Sequence, residues 1–161
     1  MVNQTSNNMQ TFNNIKVLIA EDDPVIQQQL VGWLSKYPQP TFQIMCAPNG
    51  KVAFELAVSQ QPDIILMDWE MPVMTGMEAL EKIQTSEETK HIPVIMVTAL
   101  SYADDLNYAL SQGAADYLVK PFEKLALVAR IKSALQRHQE YQKMKAAISS
   151  LQAQINNLKK Q

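Results

Sequence analysis

Short continuous runs of apolar residues alternate along the chain with longer stretches in which apolar positions recur three or four apart. The runs are Lys16–Ala20, Ile64–Met67, Val94–Val97 and the shorter Tyr117–Val119, with a weaker one carried by Phe42, Ile44 and Cys46. A continuous apolar run bounded by turn signals predicts a strand buried on both faces, and the weaker run predicts a strand nearer an edge. In chain order, helical spacing follows each of the first four: Val25, Leu30, Val31 and Leu34; then Val52, Ala53, Leu56 and Ala57; then Met77, Leu80 and Ile83; then Leu106, Ala109 and Leu110. Local punctuation agrees. Asp23-Pro24 offers a cap and a first helical residue, Asn49-Gly50 begins the second helix, Thr75 can cap the third, and Gly113 can close the fourth. Such alternation predicts an α/β fold with a five-stranded parallel sheet, helices on both faces and right-handed crossovers.

The two ends read differently. Residues 1–14 are rich in Asn, Gln, Thr and Ser and are expected to form a disordered lead-in. Residues 122–161 contain no Gly or Pro, so one helix of about 55–60 Å can span them. Leu125, Val128, Ile131 and Leu135 have the spacing of a helix packing on the domain. Tyr141, Met144, Ile148, Leu151, Ile155 and Leu158 follow a heptad pattern. The registers fail to join around Arg137 and His138, where the helix is expected to leave the body. The expected layout is a lead-in (1–14), a domain (15–138) and a coiled-coil helix (139–161). A stripe this narrow calls for a second copy, so a parallel C₂ homodimer is expected, with Asn156 beside the seam.

Charge sharpens that division. Residues 1–122 hold 6 Lys/Arg against 14 Asp/Glu, while residues 123–161 hold 8 against 2. An acidic body carries a basic tail. No basic cluster with base-reading spacing occurs, which argues against direct nucleic-acid binding. The single Cys46 excludes an internal disulfide, and His91 and His138 are too far apart to suggest zinc. The N-terminus lacks the charged start and apolar stretch of a signal peptide, and no apolar run approaches the ~20 residues of a membrane span. A soluble, cytoplasmic protein is expected. Four glycines and no Gly-rich loop argue against nucleotide-binding catalysis.

Candidate chemistry stands at the strand ends: Glu21 and Asp22 after the first, Asp68 after the third, Thr98 at the fourth and Lys120 at the fifth. In a parallel sheet these gather at one edge, where α/β proteins bind ligands. Clustered carboxylates repel unless a hard cation or an ammonium offsets them. Their oxygens suit Mg²⁺, and Lys120 supplies an ammonium. A carboxylate beside a metal, a Lys and a hydroxyl suits phosphoryl transfer, in which Asp can be the nucleophile.

The stretches IAEDDP (Ile19–Pro24), LMDWEMPVMTG (Leu66–Gly76), VTA (Val97–Ala99) and DYLVKPF (Asp116–Phe122), in this order, resemble the receiver domain of two-component response regulators over about residues 15–135. The resemblance implies a doubly wound, flavodoxin-like sheet of strand order 2-1-3-4-5. It implies that Asp68 accepts a phosphoryl group from a sensor histidine kinase or a phosphotransfer protein. By the same resemblance Glu21 and Asp22 hold Mg²⁺ together with Asp68 and the Glu70 backbone carbonyl, Asp22 being the more direct ligand. Lys120, whose bond to Pro121 is typically cis, pairs with a phosphoryl oxygen. Thr98 is the switch hydroxyl, Tyr117 the switch aromatic, and Ala99 the small residue that leaves the phosphoryl group room. Thr75 departs from the Asp often found there, and Glu70 and Leu100 occupy positions that tune phosphate lifetime. Receivers with such a helical exit often precede an output domain, including diguanylate cyclases. The implied role is a dimeric switch, with at most slow self-dephosphorylation rather than enzymatic turnover.

Two other classes fit the residues less well. A phosphatase with an Asp nucleophile wants a second acid two residues on, and Glu70 is there, but the Met71-Pro72 break does not suit it. An unphosphorylated scaffold would have no use for the full set of site residues.

Overall fold

A computed structural model of the chain describes residues 12–161. Most of the expected lead-in therefore lies outside the described residues. The sheet comprises β1 (Ile15–Ala20), β2 (Phe42–Ala47), β3 (Ile64–Met67), β4 (Val94–Thr98) and β5 (Asp116–Val119). All neighbours pair in parallel, in the order β2-β1-β3-β4-β5. The weak run is indeed at an edge: β2 has one fully buried residue, whereas β3 and β4 are buried throughout.

Alternation along the strands splits the core into two layers. Leu18, Ile65, Met67, Val94 and Met96 pack under α2 (Gly50–Gln60), α3 (Gly76–Thr85) and α4 (Ala103–Ser111). Val17, Ile19, Ile64, Leu66, Ile95 and Val97 pack under α1 (Pro24–Ser35) and α5 (Lys124–Lys159). Successive side chains of a strand point to opposite faces, so each central strand feeds both layers. This is the doubly wound arrangement.

Caps form where the local chemistry favours them. Asp23 Oδ1 accepts from the Val25 and Ile26 amides, Asn49 Oδ1 accepts from Val52, and Thr75 with Glu78 closes a capping box. Gly113, at φ 104°, takes the left-handed conformation after α4. Three apolar assignments differ from the periodicity. Val25 is 74% exposed and Leu125 67% exposed: each lies in the first turn of its helix, which overhangs the sheet edge. Leu127 is buried in place of Leu125. Leu110 also faces outward, because α4 covers its end of the sheet through Leu106 and Ala109.

Helix α5 is continuous for 36 residues. Leu127, Val128, Ile131, Ala134 and Leu135 are buried on the sheet, whereas Tyr141 and every later apolar heptad residue is at least 50% exposed. The helix starts at the C-terminal edge of the sheet and leaves the body at the opposite edge. There a cavity of about 660 Å³ lies between the starts of β1, β3 and β4 and the α5 segment from Leu135 to Lys143, with His91 and His138 both on its wall. Among the described residues no helix is long and apolar enough to cross a membrane.

Candidate functional site

The chain turns sharply after β1, and hydrogen bonds hold the turn. Glu21 is 2% exposed; its Oε1 accepts from the Asp23 amide at 3.1 Å, and its backbone carbonyl accepts from Gln27 Nε2 at 3.1 Å. Asp22 faces solvent beside it, and Asp23 is spent on capping α1. Of the three consecutive acids, one is therefore buried, one is free to meet a ligand and one is structural.

Asp68 follows β3 and is tied to the sheet by its amide, which donates to the Ala20 carbonyl at 2.9 Å. Its Oδ1 accepts from the Trp69 amide at 2.7 Å. Oδ2 is left on the side of Lys120, whose Nζ lies 3.5 Å away. Lys120 donates a shorter bond, 2.8 Å, to Glu21 Oε2. The ammonium thus bridges the two buried carboxylates, an arrangement the strand-end pattern alone does not reveal. Lys120 reaches the site because its amide bonds the Thr98 carbonyl at 2.8 Å, and the Lys120–Pro121 bond is cis, as is Gln39–Pro40. Thr98 is 1% exposed and its hydroxyl oxygen accepts from the Leu100 amide at 3.0 Å. Tyr117, half-buried, packs against the α2–α4 layer from the middle of the same edge strand. Glu70 projects its side chain into solvent, two residues past Asp68.

Electrostatics follow from this crowding. Burial, then the neighbouring Glu21 charge, push the Asp68 carboxyl up to about 6, against the pull of Lys120 and the Trp69 amide. Burial disfavours the Lys120 ammonium, but the bond to Glu21 and the field of Asp68 outweigh it and raise its pKa. Glu21, Asp22 and Asp68 each offer a carboxylate oxygen within 4.8 Å of the others. An all-oxygen, acidic and partly solvent-open donor set is what a hard divalent cation such as Mg²⁺ prefers. These residues fit the metal.

The loop after Asp68 is shaped by two features that periodicity does not register. The Met74 amide bonds the Pro72 carbonyl at 2.7 Å around Val73, which sits at φ 68° and is 77% exposed. This is a γ-turn, a strained conformation for a β-branched residue. Gly76 then brings α3 against Asp68: a Cβ there would lie 1.9 Å from the Asp68 carbonyl oxygen. The turn and the glycine together set where the peptide after Asp68 can run.

A second charged group went unnoticed in the sequence because its members are far apart. Asp116, at the start of β5, lies 3.1 Å from Arg130 Nη1 and 3.6 Å from Arg137 Nη2. Only the antiparallel return of α5 along β5 brings the three together.

Residues 17–132 match the family described as the response regulator receiver domain. The chain is 35% identical over 121 residues to the phosphate regulon transcriptional regulatory protein PhoB of Pseudomonas aeruginosa, covering 75% of this chain and 52% of that protein. It is also 35% identical over 120 residues to the protein PilH of the same organism, covering 74% of this chain and 97% of PilH. The chain thus matches about half the length of one of these relatives and nearly all of the other. Among solved structures, the Francisella response regulator 1452 receiver domain superposes with a TM-score of 0.70 at 31% identity, over 77% of this chain and 98% of that one.

Proposed function

Because the chain belongs to the receiver family of two-component response regulators, we propose that it is a Mg²⁺-dependent phosphorylation switch with Asp68 as acceptor. The observation that carries this reading is the placement of Asp68 Oδ2 within 3.5 Å of Lys120 Nζ, among three carboxylates whose oxygens lie within 4.8 Å of one another. Oδ2 attacks the phosphorus of a phosphohistidine on a sensor kinase or phosphotransfer protein. The new P–O bond forms as the P–N bond breaks, and the leaving imidazole recovers its proton from solvent. Glu21, Asp22, Asp68 and the Glu70 carbonyl would hold Mg²⁺, which supplies charge neutralisation for the transferring group.

The remaining residues have separate tasks. The Trp69 amide holds Oδ1 and so orients Oδ2. Lys120 balances Glu21 before transfer and pairs with a phosphoryl oxygen afterwards. Thr98 exchanges its bond to the Leu100 amide for one to the phosphoryl group, and Tyr117 follows it inward. The chain is an acceptor rather than a turnover enzyme, resides in the cytoplasm and acts as a homodimer through the exposed heptad face of α5. Its output is read by an effector.

The test is direct. With Mg²⁺ and a small phosphodonor, intact-mass spectrometry should show one added phosphoryl group on the wild type and none on Asp68→Asn. Equal labelling of the Asn variant would exclude Asp68 as acceptor, and equal labelling with and without chelator would exclude the metal.

A further inference from the structure

The tail of α5 carries an apolar stripe that the described chain leaves exposed. Tyr141, Met144, Ile148, Leu151, Ile155 and Leu158 are all at least 50% exposed. Assigning a to Tyr141, Ile148 and Ile155 and d to Met144, Leu151 and Leu158 determines the flanks. Positions e hold Lys145, Gln152 and Lys159; positions g hold Glu140, Ala147 and Gln154. In a parallel, in-register pair each g side chain meets the e side chain that follows it on the other helix. Glu140, the sole acid after Glu123, then faces Lys145 of the second copy, twice by symmetry. In an antiparallel pair e meets e and g meets g, and Glu140 has no cation opposite. A two-position apolar repeat with self-complementary flanks selects a second copy of this chain as its occupant.

Followed backwards, the same line enters the body, and there it is charged. Position d before Tyr141 is Arg137, and one heptad earlier it is Arg130. At 100° per residue both project within about 30° of the seam, while the sheet-packing face of α5 lies about 130° around the helix. Pairing along the seam therefore leaves the two bodies on the outside and points both arginines at their own copies. Like charges facing each other at an interface oppose association. Asp116 intercepts them. Arg130 Nη1 lies 3.1 Å from each of its carboxylate oxygens, and Arg137 Nη2 lies 3.6 Å from Oδ2. Arg137 is drawn further aside by Ser133 Oγ at 2.8 Å and the Ala115 carbonyl at 3.4 Å.

We propose that Asp116 governs tail pairing: by holding Arg130 and Arg137 to β5 it clears like charge from the mouth of a parallel, in-register coiled coil between two copies. The proposal rests on the dimeric part of the reading above and assigns its control point. β5 carries this clamp at its first residue, and Lys120 follows its last, so one short strand touches both the site and the seam.

Sedimentation equilibrium on the full chain tests it. Asp116→Asn keeps the oxygen that accepts from the Tyr117 amide at 2.8 Å but loses the charge. Dimerisation should weaken about tenfold, and the gap should close in high salt. Arg130→Gln with Arg137→Gln should restore the dimer in the Asp116→Asn chain and leave the wild type at least as tight. An unweakened Asp116→Asn dimer, or no restoration, overturns the role of Asp116. If Asp116→Asn melts too low to use, the arginine pair alone decides: a looser dimer overturns the proposal. Leu151→Cys in a Cys46→Ser background should oxidise to a disulfide-linked dimer, and failure to do so overturns the parallel register. A wild type that stays monomeric overturns the whole proposal, while phosphoryl labelling of Asp68 on the same samples judges the receiver reading separately.

Discussion

Gly76 offers a sharp test of how Asp68 is held. A Cβ at that position would lie 1.9 Å from the Asp68 carbonyl oxygen, 2.9 Å from its carbonyl carbon and 3.1 Å from Met67 Cγ. The first two are backbone atoms, and their surroundings are pinned: the Asp68 amide bonds Ala20 O at 2.9 Å, and the Gly76 amide bonds Trp69 O at 2.8 Å. No rotamer change relieves such a contact. The start of α3 must retreat by about 1 Å or more to restore van der Waals distance. Overpacking costs about 1–3 kcal/mol, and a backbone clash belongs at the upper end. We expect Gly76→Ala to destabilise the fold by about 3 kcal/mol. Gly32, inside α1, has nothing within 4 Å of its would-be Cβ. There the same substitution should stabilise by about 0.5–1 kcal/mol through helix propensity and unfolded-state entropy. Urea unfolding of both variants without Mg²⁺, compared at matched slopes, measures the contrast. If Gly76→Ala unfolds within about 0.5 kcal/mol of the wild type, or if Gly32→Ala loses as much, the backbone-contact reasoning is wrong.

Two further outcomes follow from the ionisable groups. With its pKa raised from 3.8 to about 6, folded Asp68 binds more protons than unfolded Asp68 between those values, so its charge opposes folding at neutral pH and is relieved as pH falls. Asp68→Asn should therefore stabilise the Mg²⁺-free chain near neutrality by up to about 3 kcal/mol, a gain that fades as pH falls through 6 towards 4; a variant no more stable than the wild type refutes this. At the other edge of the sheet, burial and then the His91 charge lower the pKa of His138, with Asp63 opposing. The unfolded chain then binds the extra proton, so stability is complete above the ordinary imidazole value of 6.5 and falls as pH drops through it. Lys143 lies on the same cavity wall. His138→Gln should flatten that acid slope in urea midpoints, and superimposable pH curves for the two chains would refute the assignment.

How much of this was legible beforehand depends on the range of the interaction. The strands were readable because burial on both faces leaves unbroken apolar runs, and the helix starts because Asp23, Asn49 and Thr75 act on amides two or three residues away. The meeting of Glu21, Asp22, Asp68, Thr98 and Lys120 at one edge follows from parallel topology, since each stands at the same end of its strand. What stayed hidden was set by contacts across the fold. That Lys120 reaches Glu21 more closely than Asp68 depends on side-chain reach over a gap no pattern encodes. The outward turn of Val25 and Leu125 depends on where a helix overruns the sheet. The Val73 turn leaves no compositional trace, because Val is among the residues least suited to a positive φ. Asp116 and its arginines belong to different elements, so spacing could not join them.

The course of α5 has a consequence for how the molecule keeps company. The helix begins beside Lys120 and leaves past the starts of β1, β3 and β4, so Asp68 and the exposed tail occupy opposite ends of the sheet. Six-residue β1 alone separates those ends by about 20 Å. A protein seated over Asp68 and one gripping the tail would share no surface and would not compete. Both can be held at once, and neither must depart before the other arrives.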